Sequence, residues 1–228
     1  MINTKNFNAI TQKVKQQHAQ LVAVSKTKPA SDVIALYEAG QRIFGENKVQ
    51  EMVEKKALCP ADIAWHLIGH LQSNKVKYIV EFVSMIHSID SLKLLEEVNR
   101  RAAKCQRVVD CLLQFHIATE ETKFGLDLAQ AKKLLSSNTF ANMQHVRICG
   151  VMGMASFSND TALVRSEFRQ LKNYFDVLKK DFFADKPFFK EISMGMSGDY
   201  AIALEEGSTL VRVGSLLFGE RNYYTKIE

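Results

Sequence analysis

The stretch "LVAVSKTKPASDVIALYEAG" (residues 21–40) joins a short apolar run to a helical pattern. Leu21, Val22, Ala23 and Val24 read as a buried strand. Ser31 reads as the N-cap of the helix that follows, and Gly40 as the residue just beyond its end. The connection "SKTKP" contains no glycine. An open, doubly wound nucleotide-binding sheet would place a Gly-rich turn at that position. The unit is therefore a strand–helix repeat of another kind, and it ends an interior strand on Lys26. Burying an ammonium is costly unless it is paired or loses its charge, so this lysine needs a purpose.

The same unit recurs along the chain. Further β-rich runs are "RIFGEN" (42–47), "AWHLIGH" (64–70), "MIHSID" (85–90), "VVDCLLQFHI" (108–117), "VRICGVMGM" (146–154), "EISMG" (191–195) and "LVRVGSLLFG" (210–219). Helical patterns separate them. "SLKLLEEVNRRAAKC" opens on Ser91 and places Leu92, Leu95, Val98 and Ala102 on one face. A longer segment carries Leu163, Phe168, Leu171, Phe175 and Leu178 at helical spacing, which reads as core packing. Strand–helix alternation implies a parallel sheet covered by helices. Eight repeats in 228 residues predict an α/β fold, a single (β/α)8 TIM barrel spanning 1–228 as one domain. Residues 4–18 read as an extra N-terminal helix.

Composition narrows the function classes. Hydrophobic residues make up 46% and charged residues 24%, as in an ordinary globular chain. The net charge of +5 is spread out, whereas a nucleic-acid binder concentrates its basic residues; no nucleic-acid partner is expected. Cys59, Cys105, Cys111 and Cys149 form no CxxC pair and read as reduced thiols. The N-terminus has no apolar signal core, and no run reaches the length of a membrane span. These features lead us to expect a cytoplasmic protein without a membrane partner. With no long exposed apolar face evident, a monomer is expected.

In a barrel of this type the chemistry lies at the C-terminal ends of the strands. The last two strands carry "SMGMSGDY" and "LVRVGS". Ser197 and Gly198 precede a short helix, and Gly214 and Ser215 follow Arg212. Small residues and free backbone N–H groups after the seventh and eighth strands are the usual phosphate cradle of such barrels; the plainer use of these glycines is to make turns. Lys26 at the same mouth could form a Schiff base with an aldehyde-bearing phosphate ligand, and pyridoxal 5′-phosphate meets both requirements. The plainer use of Lys26 is to extend its charge to solvent. Lys28 competes for the role but stands in the loop beside Pro29. His66 and His70, four apart on an expected strand, would share a face, yet two histidines make a poor metal site; none is expected. Glu46 is expected to form an ion pair at the mouth, with Lys26, Lys48 or Lys75.

The motifs "AVSKTKP" (23–29), "FGENKVQE" (44–51), "WHLIGHLQSNK" (65–75), "HSID" (87–90), "GVMGM" (150–154), "SMGMSGDY" (193–200) and "GSTLVRVGSLLFGERNY" (207–223) together resemble the pyridoxal phosphate homeostasis proteins, the YggS/PROSC family. The resemblance implies a barrel of the alanine-racemase N-terminal type. It implies that Lys26 carries pyridoxal 5′-phosphate as a Schiff base, that Ser197, Gly214 and Ser215 hold its phosphate, that Arg212 faces the pyridine nitrogen and that Asn47 lies near the ring. The segment "IATEETKFG" departs from the family's "VN…KxG" stretch, which bears on loop detail.

Guanidinium only donates hydrogen bonds, so Arg212 would leave the ring nitrogen unprotonated and the ring a weaker electron sink. The related racemases draw a tyrosine base from a second β-domain, and the sequence runs only to Glu228, just past the eighth strand. A non-catalytic protein of cofactor homeostasis and supply is expected, with pyridoxal phosphate-dependent apoenzymes as its possible recipients. The alternatives are an amino-acid racemase-like enzyme, a Schiff-base aldolase without cofactor, and a regulator acting through its surface.

Overall fold

The computed structural model describes residues 2–119 and 124–219. Eight parallel strands close into a barrel in sequence order: β1 (Gln20–Val24), β2 (Ile43–Glu46), β3 (Ala64–Leu67), β4 (Met85–Ile89), β5 (Val109–Phe115), β6 (Val146–Gly153), β7 (Glu191–Ser193) and β8 (Leu210–Val213). Pairing of Leu21 with Val211 and of Val22 with Arg212 closes the ring. Helix α1 (Thr4–Gln16) precedes the barrel, burying Phe7, Ile10 and Val14. The covering helices are α2 (Ala30–Glu38), α3 (Val49–Leu58), α4 (Leu92–Lys104), α5 (Leu128–Leu135), α6 (Asn138–Ala141), α7 (Thr161–Phe182), α8 (Tyr200–Glu205) and α9 (Ser215–Phe218), with a 3-10 turn at Ser73–Tyr78. Among the described residues no helix is long and apolar enough to cross a membrane.

Helix starts follow local chemistry. Ser91 accepts the Leu94 N–H at 3.3 Å, as expected of an N-cap. Asp127 and Gln130 form a reciprocal capping box. Asp160 caps α7 by accepting from Ala162 and Leu163. Ser31 does not cap α2: the cap lies two residues earlier, at Pro29, whose fixed φ already suits a helix entry. On α7 the buried stripe runs through Val164, Glu167, Phe168, Leu171 and Leu178, with Leu163 and Phe175 only partly covered.

Several strands end earlier than the apolar runs suggest. β8 stops at Val213, and Leu217 and Phe218 donate to the Gly214 carbonyl to form α9. A continuous apolar run cannot by itself separate strand from buried helix. β3 stops at Leu67, so His66 and His70 do not share a strand face. His66 is buried, whereas His70 is exposed, stacked on Phe124 and 3.5 Å from Asp90. β1 stops at Val24, which leaves Lys26 in the following turn.

Side chains alternate along each strand, so positions two apart face the same way. Val22, Met85, Leu112, Cys149, Met152 and Leu210 form an apolar cluster of their own, separate from the larger core between strands and helices. Two residues onward from three of these the chain turns polar: Met85 leads to His87, Leu112 to Gln114 and Leu210 to Arg212, all buried. The barrel is thus floored with apolar side chains and polar towards the C-terminal mouth.

Candidate functional site

At that mouth lies a cavity of about 390 Å³. Lys26, Asn47, Ser197, Arg212, Gly214 and Ser215, the six residues singled out in the sequence, all line it. Val24, Ile68, Met154, Met196 and Phe218, which lie within the quoted motifs but had no expected role, add apolar walls. Such a mixture, mostly apolar with a few convergent polar groups, suits a small organic ligand.

The turn after β7 and the start of α9 meet here. Gly214 donates its N–H to Ser197 Oγ at 3.2 Å, tying the two loops together. A Cβ at Gly214 would stand 3.0 Å from the Val24 carbonyl oxygen, so the close approach of β8 to β1 favours glycine. At Gly198 a Cβ would meet nothing within 4 Å, which leaves open space beside the backbone. Asp199 turns back to accept the Met196 N–H at 2.5 Å and so shapes the turn. Asn47 is held through its backbone: a Cβ on Gly69 would lie 2.3 Å from the Asn47 carbonyl oxygen, and only glycine lets the two loops touch.

Arg212 is 4% exposed and, among the described residues, makes no ion pair. It donates to Ser193 Oγ at 2.6 Å and to the Gly153 carbonyl at 3.0 Å. Burial lowers its pKa to about 10, against the pull of Asp199. The chain of contacts continues inward. Ser193 Oγ lies 2.9 Å from His87 Nδ1, and His87 Nε2 lies 2.9 Å from His66 Nδ1. Because guanidinium can only donate, Ser193 Oγ accepts from it. In the tautomer in which the Ser193 hydroxyl donates to His87 Nδ1, His87 carries its hydrogen on Nε2 and donates to His66 Nδ1. Burial pushes His66 down to about 4 and His87 well below its ordinary value, with His66 and Arg212 adding to the second effect. Both rings are neutral at pH 7. The sequence reading placed Arg212 at the site but missed Ser193 and His87 as its supports. For His87 the available signal was its two-residue offset from inward-facing Met85.

Other expectations resolve outside the cavity. Glu46 points away from the barrel axis and pairs with Lys55 of α3 at 2.7 Å, not with Lys26, Lys48 or Lys75. Its neighbour Gly45 takes the inward position, where a Cβ would meet Val22 at 2.9 Å. Burial raises the Glu46 carboxyl above its usual range, opposed by Lys55 and Ser25. Behind the cavity, Glu167 accepts from the N–H and hydroxyl of Ser156 and fixes the turn after β6. The cysteines are all free; Cys111 and Cys149 are buried, and burial raises both thiols, Cys149 to about 12. Part of the divergent "IATEETKFG" segment and the end of the last motif lie outside the described residues.

Residues 3–222 match the family model described as "Alanine racemase, N-terminal domain". The chain is similar to the pyridoxal phosphate homeostasis protein of Aquifex aeolicus, at 39% identity over 90% of this chain and 88% of the relative. It is likewise similar to the human protein of that name, at 39% identity over 91% of this chain and 78% of the relative. Among solved structures, PipY of Synechococcus elongatus without PLP superposes with a TM-score of 0.87 at 36% identity, covering 95% of this chain and 99% of PipY. The PLP-bound form of PipY superposes at 0.84 and 35% identity, with the same coverage.

Proposed function

This chain belongs to the alanine racemase N-terminal domain family, among the pyridoxal phosphate homeostasis proteins, and from that premise we propose that it binds pyridoxal 5′-phosphate on Lys26 to store and supply it. The observation that carries the proposal is that Lys26, Asn47, Ser197, Gly214 and Ser215 line one cavity together with a buried arginine that makes no ion pair among the described residues. The donor set suits the ligand. Lys26 supplies the amine for a Schiff base, the Ser197–Gly198 turn and the start of α9 supply small residues and N–H groups for a phosphate, and Arg212 supplies donors for a ring nitrogen. Bound pyridoxal phosphate would bring an aldehyde for amine capture and a ring able to accept electron density.

Arg212 also argues for a carrier rather than an enzyme. A group that only donates keeps the ring nitrogen unprotonated, and the Ser193–His87–His66 chain beneath it holds that role in place. Borohydride treatment in the presence of pyridoxal 5′-phosphate should fix the ligand to the protein, and peptide mapping should find it on Lys26. Mapping mainly to Lys28 or Lys75 would refute the assignment. In heavy water the loaded protein should leave the α-hydrogen of L-alanine essentially unexchanged; rapid exchange with formation of D-alanine would identify an enzyme instead.

A further inference from the structure

Lys26 stands between two residues whose backbones are tied to one buried ammonium. Lys55 of α3 is 5% exposed, and its Nζ donates to the Ser25 carbonyl at 2.6 Å, to Glu46 Oε1 at 2.7 Å and to Glu51 Oε1 at 2.7 Å. An ammonium has three protons, and all three are placed. The two carboxylates reach back to the same turn. Glu46 Oε1 accepts the Ser25 hydroxyl at 2.5 Å, and Glu51 Oε1 accepts the Thr27 N–H at 2.5 Å. The Lys28 N–H closes the turn on the Ser25 carbonyl at 3.0 Å.

The turn needs such a tether. Thr27 has φ of +65°, in the left-handed region. A β-branched residue there is a genuine outlier and persists only when its surroundings hold it. A buried ion pair alone often stabilises no more than apolar side chains of the same volume. This one is different in what it grips: the residues immediately before and after Lys26, which it ties to Glu46 at the end of β2.

We propose that Lys55, acting through Glu46 and Glu51, is a positioning residue for Lys26: the cluster holds Thr27 left-handed and thereby aims the Lys26 side chain into the cavity. The inference rests on the reading of Lys26 as the residue that captures an aldehyde. In that capture the neutral Lys26 amine forms a C=N bond to the aldehyde carbon, the C=O bond breaks, and the oxygen leaves as water with the two amine hydrogens. Holding the amine in place ahead of the encounter speeds the bond without adding affinity for the rest of the ligand.

The test uses Glu51→Ala in the full chain. The Glu51 side chain is 20% exposed, so water can take over its partners and the fold survives. Two probes separate aim from binding: pyridoxal 5′-phosphate, and pyridoxine 5′-phosphate, which keeps the ring and phosphate but has an alcohol in place of the aldehyde. With Glu51→Ala, growth of the long-wavelength Schiff-base absorbance should slow by about tenfold while pyridoxine 5′-phosphate affinity stays at the wild-type value. Adding Thr27→Gly should restore the rate several-fold, because glycine enters the left-handed region without strain. A wild-type rate in Glu51→Ala, a parallel loss of pyridoxine 5′-phosphate affinity, or no recovery with Thr27→Gly would each overturn the proposal. The Lys26 reading is tested apart from it: absorbance that survives Lys26→Ala refutes that reading whatever Glu51→Ala does.

Discussion

Acid should unfold this protein through the two histidines buried beneath the cavity. His66 is held neutral by burial, its pKa lowered from 6.5 to about 4, and His87 is also lowered well below its ordinary value. The unfolded chain lets both take a proton near their ordinary values. Between pH 6.5 and about 4 the unfolded state therefore binds more protons than the folded state. Stability is fully present above pH 6.5 and is lost as the pH falls, at about 1.4 kcal/mol per pH unit for each such histidine. For His66 alone, integration from pH 7 to pH 5 gives a loss of about 2 kcal/mol. His87 acts in the same direction. Glu46 opposes them, since burial raises its carboxyl and acid relieves a buried charge. His66→Gln isolates the effect, because the glutamine carbonyl can still accept from His87 but cannot titrate. Urea unfolding followed by the fluorescence of buried Trp65, at pH 7, 6 and 5, measures the slope. The variant should lose about 2 kcal/mol less than the wild type over this range. Identical slopes, or an NMR titration of His66 near 6.5 in the folded protein, would refute the reasoning.

Ser197→Ala should weaken pyridoxal 5′-phosphate binding by about 0.5–1.5 kcal/mol, and by up to about 3 kcal/mol for a charged acceptor, as measured by calorimetry. Equal affinity for pyridoxal with and without its phosphate would refute the position of the anion site. Gly150→Ala should destabilise the fold by about 3 kcal/mol or more, because its Cβ would fall 1.8 Å from the Glu191 carbonyl oxygen, where β6 shifts register against β5. An unchanged urea midpoint would contradict that packing.

The tether on Thr27 and the chain beneath Arg212 concern different properties of the one cavity. Under the proposed function, the first would set how fast Lys26 captures an aldehyde and the second what a bound ring nitrogen would meet. Arg212 donates to Ser193 Oγ and the Gly153 carbonyl at 2.6 and 3.0 Å, from a guanidinium that has five N–H groups. Ser193 and Gly153 thus orient it while leaving donors for a ligand.

The barrel was legible in the chain's spacing, and the cavity residues in strand-end position together with, for Asn47, the family resemblance. Strand–helix alternation is a local signal, written in spacing along the chain, and eight repeats leave few ways to close a sheet. Lys26, Ser197, Gly214 and their companions were legible because barrel chemistry gathers at strand ends, so sequence position already implied a shared mouth. Strand ends at Leu67 and Val213 were not legible, since an apolar run fits a strand or a buried helix equally well. Which groups meet through space was settled by the folded chain. Lys55 lies 30 residues after Ser25, whose carbonyl it binds, and Ser193 lies 106 residues after His87. Neither pairing leaves a periodic trace. Both follow from closure of the barrel, which sets Glu46 outward against α3 and brings Ser193, His87 and Arg212 together inside it.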